Sequence, residues 1–269
     1  MLGPGNDADE LDSDQTMTEP HVVVAIVSFR NVDDVRSCLQ ALSEQSYTNF
    51  EVVICENGGE TAYRQLREGV STRLPQGQSV SWIADHLNPG YAGGINRCLE
   101  FRPEAPLYWI LNPDTEPAPD VLRRLVAYQR ESGHDAIGGV ICLRELTVRS
   151  CGGTWYPLLA YTKSLGLGRA IDERPKTLEV EGKLSYISGA SILVTRKFII
   201  KAGYMREDYF LYAEEVEWCI RAKNLGLSLG YCDNALIFHH QGSTTKSLGP
   251  VSNLPRLPVY LNERNRLLV

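Results

Sequence analysis

The run Val22-Val23-Val24-Ala25-Ile26-Val27 sets the fold. It is apolar and mostly β-branched throughout, as suits a strand buried on both faces of a parallel sheet; a strand with one wet face would alternate. It is expected to be a central strand. After a polar turn, Val35, Cys38, Leu39 and Leu42 recur at i, i+3, i+4 and i+7 behind the acidic starters Asp33 and Asp34, which predicts a helix with one apolar stripe. Glu51 to Cys55 reads as a second buried strand, Tyr63, Leu66 and Val70 as a helix, Val80 to Ala84 as a strand, Ile95, Cys98 and Leu99 as a helix, and Tyr108 to Leu111 as a strand. This alternation gives a doubly wound, mostly parallel α/β sheet with helices on both faces.

The second half is less regular. Leu122, Leu125, Val126 and Gln129 form a helical stripe, Ala136 to Cys142 a strand, Tyr186 to Val194 another, Ala213 to Asn224 a helix and Ala235 to His239 a last strand. Residues 143 to 184, rich in Gly, Pro and charge, are expected to be long loops.

The chain has 269 residues, 43% hydrophobic and 22% charged, which suits an ordinary globular protein and excludes disordered or fibrous classes. Its longest apolar run, Val22 to Val27, is far short of the roughly 20 residues of a membrane-spanning helix. The N-terminus lacks the order of a secretory signal, so a cytoplasmic location is expected. Seven scattered cysteines with no C-x-x-C pair read as reduced, buried small hydrophobes. The net charge of −6 comes from Asp7, Asp9, Glu10, Asp12, Asp14 and Glu19; without them 27 acids face 27 bases, and there is no basic face for nucleic acid. Residues 1 to 20 are expected to be a disordered acidic tail.

In doubly wound sheets, ligands bind beyond the carboxyl ends of the strands. Those positions are polar here: Ser28-Phe29-Arg30-Asn31, Glu56-Asn57-Gly58-Gly59 and Asn112-Pro113-Asp114. The proline stiffens the last turn so that Asp114 projects into the crevice, where one carboxylate suits a hard cation shared with a diphosphate; the same residues would serve equally as a turn before the helix at Pro119. Asn88-Pro89-Gly90-Tyr91-Ala92-Gly93-Gly94-Ile95-Asn96 is a glycine-rich helix start, open to an anion or simply to close packing. It lacks the spacing of dinucleotide and P-loop motifs. Glu214 and Glu215 open a helix about 100° apart, so one can face a cleft as a general base while the other braces it. His239-His240 ends the last strand, where a histidine could complete a metal shell with Asp114.

Taken in order, these motifs resemble the inverting glycosyltransferases of family 2, with the GT-A fold, and especially their rhamnosyltransferase-like branch. The likeness spans Val22 to Arg266 and rests on VVVAIVSFRN, ICENGG, HLNPGYAGGIN, LNPDTEP, ISGASILVTRK with GYMREDYFLYAEEVEWCIR, and FHHQGSTT with a later LNERNR. It implies a single domain, with residues 21–117 forming the donor half and 118–269 the acceptor-binding and catalytic half, a smaller acceptor-side subregion, and a nucleoside-diphosphate sugar lying along the sheet edge. Ser28, Arg30, Glu56 and Asn57 from the first two turns would contact the donor. So would Asn88, Gly90, Gly93, Gly94 and Asn96 from the glycine-rich turn, together with Asn112, Gly189 and Arg264. Glu56 stands where relatives commonly carry the base-contacting Asp.

The resemblance also makes Asp114 and His240 the ligands of Mg²⁺ or Mn²⁺, with His240 matching the family position better than His239. Glu215 becomes the base, beside Glu214, that deprotonates the acceptor, and Arg264 a diphosphate clamp. The implied donor carries dTDP or UDP, dTDP-rhamnose being the first expectation by analogy with the branch. The implied acceptor is a glycan or lipid-linked hydroxyl in surface polysaccharide synthesis, and a lipid-linked acceptor would bring the chain to the inner face of the membrane. Relatives often continue past the LNERNR segment, so a further C-terminal region is expected. A competing reading, motivated by Glu at 56, 215 and 217 and by the single metal acid, is a catalytically silent nucleotide-sugar-binding subunit. A sugar nucleotidyltransferase is disfavoured, because Ser28-Phe29-Arg30-Asn31 provides no basic glycine-rich loop.

Overall fold

The structure is a computed structural model that describes residues 19–143, 145–240 and 256–269; the acidic head before Glu19 and the segment 241–255, with most of the FHHQGSTT motif, lie outside the described residues. The chain runs β1 (Val22–Ser28), α1 (Val32–Ser43), β2 (Phe50–Glu56), α2 (Glu60–Gly69), β3 (Val80–Ala84), α3 (Gly90–Phe101), β4 (Leu107–Leu111), β5 (Thr115–Pro117), α4 (Val121–Ser132) and β6 (Ala136–Cys142). It continues through β7 (Val148–Ser150), β8 (Gly153–Tyr156), β9 (Tyr161–Ser164), α5 (Thr177–Glu181), β10 (Ser191–Thr195), α6 (Arg196–Ala202), α7 (Glu214–Asn224), β11 (Leu229–His239) and α8 (Arg256–Arg266).

Every residue of β1 is buried. Its alternate side chains feed two cores: Val22, Val24 and Ile26 pack with residues of α1, α2 and α4, whereas Val23, Ala25 and Val27 pack with α3, α6 and α7. The helical stripe Val35, Cys38, Leu39 and Leu42 is buried on α1 as its spacing requires. The strand order is β3-β2-β1-β4-β10-β6-β11-β5, with β7 joined to β6. β3, β2, β1 and β4 are parallel; β10 is antiparallel to both β4 and β6, and β11 returns parallel to β6. Across the β4–β10 seam, the buried Trp109 indole donates to Ser191 Oγ at 2.9 Å. The result is a mixed α/β fold with a large sheet between helical layers.

Several local expectations change. The strand expected over Tyr186 to Val194 begins only at Ser191, because the preceding residues turn into the cleft and the Asn112 N–H binds the Ala190 carbonyl at 3.0 Å. The stretch 143 to 184 contains a two-stranded hairpin, β8–β9, and the short α5 as well as loops. Val70 ends α2 with extended backbone. α6 was not apparent from apolar spacing, but Thr195 caps it by accepting from the Phe198 N–H at 3.1 Å.

Candidate active site

A cleft of about 870 Å³ opens at the carboxyl ends of β1, β2 and β4. Its lining includes Asn57, Asn112 and Asp114 from the strand ends, Asn88, Gly90 and Tyr91 from the start of α3, and Gly189, Glu214 and Glu215. Gly90 starts α3 at φ +74°, and a Cβ there would lie 2.2 Å from the Phe210 carbonyl oxygen. Only glycine fits that approach. The Tyr91 N–H binds the same carbonyl at 2.6 Å, which fixes α3 to the segment leading into α7.

That segment is strained. Phe210, Tyr212 and Ala213 all have positive φ, an unusual cluster for residues with side chains, immediately before the two glutamates. From α8, the fully buried Asn265 amide donates to the carbonyls of Tyr209, Leu211 and Tyr212 at 2.7–2.8 Å and holds the strained turn in place. This residue was not singled out from sequence, although it lies inside LNERNR.

The two carboxyls occupy different environments. Glu214 is 4% exposed and, among the described residues, its Oε2 has no hydrogen-bond partner; burial first, then the neighbouring Glu215 charge, hold its pKa well above the usual carboxylate range. Glu215 is half-buried. Its pKa is also raised by burial, but the backbone N–H groups of Glu215, Val216 and Gly189 favour its anion. Of the two, Glu215 is therefore the more readily ionised. Gly189 packs directly against it, since a Cβ there would sit 3.4 Å from Glu215 Cδ. The hydroxyl of the half-buried Tyr91 donates to the Gly189 carbonyl at 2.9 Å. Tyr186, whose phenol is pushed up to about 12 by burial and then by Glu215, lines the cleft with Arg149. Neither residue was found from sequence.

At the strand ends, His239 Nε2 lies 3.0 Å from Asp114 Oδ1. Burial pushes the Asp114 carboxyl up, but the His239 ring, with His240 adding to it, outweighs this and leaves the carboxyl below its ordinary value. His240 points elsewhere: its ring is 2.8 Å from Glu116, and only its backbone N–H reaches Asp114, at the carbonyl. The histidine beside the acid is thus His239, not the expected His240, because successive residues of a strand face opposite ways.

Other expected donor contacts also lie elsewhere. Glu56 is 2% exposed and serves as a brace, accepting from the Ser28 hydroxyl, the Arg30 N–H at 3.1 Å and the Gly58 N–H at 2.7 Å. The Arg30 side chain donates to the Gly58 carbonyl at 3.1 Å. Gly94 packs on Val27 and Gly93 on Pro89. The Asn96 amide is committed to both backbone groups of Met205. Arg264 donates to the Asp208 and Tyr209 carbonyls, while Arg266, two residues on, lines the cleft. A helix turns about 200° in two residues, so the two arginines cannot share a face.

The sequence matches the family described as glycosyltransferase like family 2 over residues 20–266. The chain belongs to this family. Among relatives of family 2, the low-salt glycan biosynthesis hexosyltransferase Agl10 of Haloferax volcanii is 25% identical over 262 residues, covering 94% of this chain and 76% of the relative. The N-acetylglucosaminyl-diphospho-decaprenol L-rhamnosyltransferase of Mycobacterium tuberculosis is 25% identical over 264 residues, covering 88% and 81%. Among solved structures, GalNAc-T7 with UDP, GalNAc and Mn²⁺ is similar at TM-score 0.63 and 12% identity, covering 83% of this chain and 44% of that one. The mannosyltransferase PcManGT of Pyrobaculum calidifontis, with GDP-Man and Mn²⁺, gives TM-score 0.57 and 15% identity, covering 83% and 57%. The chain thus spans about half the length of those solved chains, and the likeness to them establishes the GT-A fold.

Family 2 membership raises the question of a divalent ion. Among the described residues no three His, Cys, Asp or Glu side chains converge. The adjoining Asp114 and His239 nevertheless fit such an ion if diphosphate and water oxygens complete its shell, as is usual for Mg²⁺. Beside them, Asn112 Oδ1 is buried with no hydrogen-bond partner among the described residues, an acceptor facing the same cleft.

Proposed function

We propose that the chain is an inverting glycosyltransferase that moves a sugar from a nucleoside diphosphate to a hydroxyl of a glycan or lipid-linked acceptor. The observation that carries this reading is Glu215: a half-buried carboxyl that lines the cleft, packed against Gly189 and approached by backbone N–H groups that favour its anion, with the more deeply buried Glu214 beside it. Paired acids in unequal surroundings suit acid–base work.

In the reaction, Glu215 accepts the acceptor's hydroxyl proton as that oxygen attacks the anomeric carbon. The bond from that carbon to the diphosphate oxygen breaks on the opposite face, inverting the centre, and the diphosphate leaves with its electron pair. Asn57, Asn112 and Arg266 line the cleft, where the Arg266 guanidinium, which also pairs with Glu263, offers a cation to the leaving group. A divalent ion held by Asp114 and His239 would neutralise charge on that diphosphate. The residues' own contribution is to hold both substrates in attack geometry and exclude water.

The proposed donor is a dTDP or UDP sugar, with dTDP-rhamnose first; the Mycobacterium relative named as an L-rhamnosyltransferase supports that choice. The test pairs nucleotide-sugar binding with transfer. Glu215→Gln should retain thermal stabilisation by the nucleotide sugar and lose transfer to a lipid-linked acceptor. Wild-type protein stabilised by nucleotide sugars but unable to transfer to any acceptor would favour the silent-subunit reading instead.

A further inference from the structure

We propose that the β8–β9 hairpin is a wedge that docks on an anionic lipid surface and seats the acceptor side of the cleft against it. The inference rests on the lipid-linked acceptor of the proposed function and deepens it.

The hairpin tip is convex and apolar: Leu158 is 99% exposed and Leu159 73%. Behind the tip, the paired residues Tyr156 and Tyr161 stack at 6.3 Å and are both exposed. Further back comes the pair Thr154 and Lys163, with Lys183 adjoining through its carbonyl, which accepts from Thr154 Oγ1 at 2.8 Å. Both lysines are exposed, and neither forms a salt bridge among the described residues. From tip to base the order is aliphatic, aromatic, cationic. A bilayer leaflet presents the matching order from inside outward: hydrocarbon, an interface that favours Tyr and Trp, and anionic headgroups.

A protein partner fits less well. Stable protein interfaces bury about 800 Å² per side, much more than a four-residue tip offers, and they enclose leucines in pockets instead of leaving them on a protrusion. The hairpin is also tied to the reaction site. Side chains alternate along β9, so Tyr161 and Lys163 face outward while Thr162 and Ser164 line the cleft. Leu257 of α8 lines the same cleft and is 58% exposed, a further apolar side chain at its mouth. A hydroxyl carried on a membrane-embedded lipid would reach Glu215 through this mouth without leaving the surface.

The test is co-sedimentation of the whole chain with vesicles of phosphatidylcholine mixed with phosphatidylglycerol, beside vesicles of phosphatidylcholine alone. The wild type should sediment with the anionic vesicles, and less so as salt rises. The double variant Leu158→Ser, Leu159→Ser should lose partitioning on the order of tenfold or more, and Lys163→Glu should lose it mainly at low salt. Both variants should keep the wild-type melting temperature and nucleotide-sugar stabilisation. Absence of vesicle binding by the wild type, or equal binding by the leucine double variant, overturns the proposal. Leucine-dependent self-association without vesicle binding overturns it in favour of a second copy of the chain. Leucine-dependent vesicle binding by a protein that no nucleotide sugar stabilises supports the wedge and overturns the transfer reading alone.

Discussion

The Asn265 side-chain amide donates to the Tyr212 carbonyl at 2.7 Å, so a helix near the C-terminus holds the strained turn that aims the glutamates. Asn265→Ala leaves three buried carbonyls without that donor and opens a cavity. A loss of about 2–4 kcal/mol of stability is expected. Transfer should fall through kcat more than through KM, because the base moves while the strand ends that line the cleft stay. Denaturant unfolding and steady-state kinetics check both.

Glu214→Gln should make the protein more stable than wild type as pH rises. The folded-state pKa of Glu214 lies above its ordinary 4.5. Between those two values the folded state binds more protons than the unfolded chain, so the wild type loses stability as pH climbs through that window. Glutamine does not titrate and keeps the neutral shape. Melting temperatures of the two proteins across the acidic to mildly alkaline range should diverge upward with pH; parallel curves would contradict the burial argument.

His239→Ala should weaken Mn²⁺-linked nucleotide binding about 10–100-fold, judged by the effect of perturbing a metal site's shell. His240→Ala should have far less effect, because its ring sits against Glu116. Calorimetry of dTDP or UDP binding with and without Mn²⁺ separates them.

Arg266→Ala should raise the donor KM by about tenfold, the loss of one charge-assisted hydrogen bond to diphosphate. Arg264→Ala should lower stability instead, because that guanidinium binds the Asp208 and Tyr209 carbonyls. Melting curves and donor titrations of both variants make the comparison.

Gly90→Ala should cost more than about 2 kcal/mol, combining a left-handed backbone with a clash against Phe210. Gly133→Ala, also left-handed but with open space around it, is the control and should cost about 1–2 kcal/mol from the backbone alone.

The frame of the fold was readable because β1 is buried on both faces and α1 on one, and each burial leaves its own period in the sequence. What escaped depends on parity. The β11–β5 ladder sets His239 opposite Thr115, beside Asp114, and the spacing of apolar residues carries no mark of that register. The roles of Glu56 and Asn96 escaped for a different reason. Polar residues at strand ends and helix starts serve equally to hold a ligand or to hold the turns that would surround it, and only their actual partners tell the two apart. The start of β10 was misplaced because Ile187, although apolar and buried, belongs to a loop that must deliver Gly189 to Glu215.

The strand β10, hydrogen-bonded to β4 on one side and β6 on the other, has a consequence for how substrates arrive. A protein whose donor and acceptor halves were separate bodies could open and shut like a jaw around a hinge. Here the strands from β3 to β5 form one continuous plate, and parting it at β10 would break a ladder through the middle of the core. Closure over substrates is therefore expected from the surface loops mounted on the plate, with the plate itself keeping its shape.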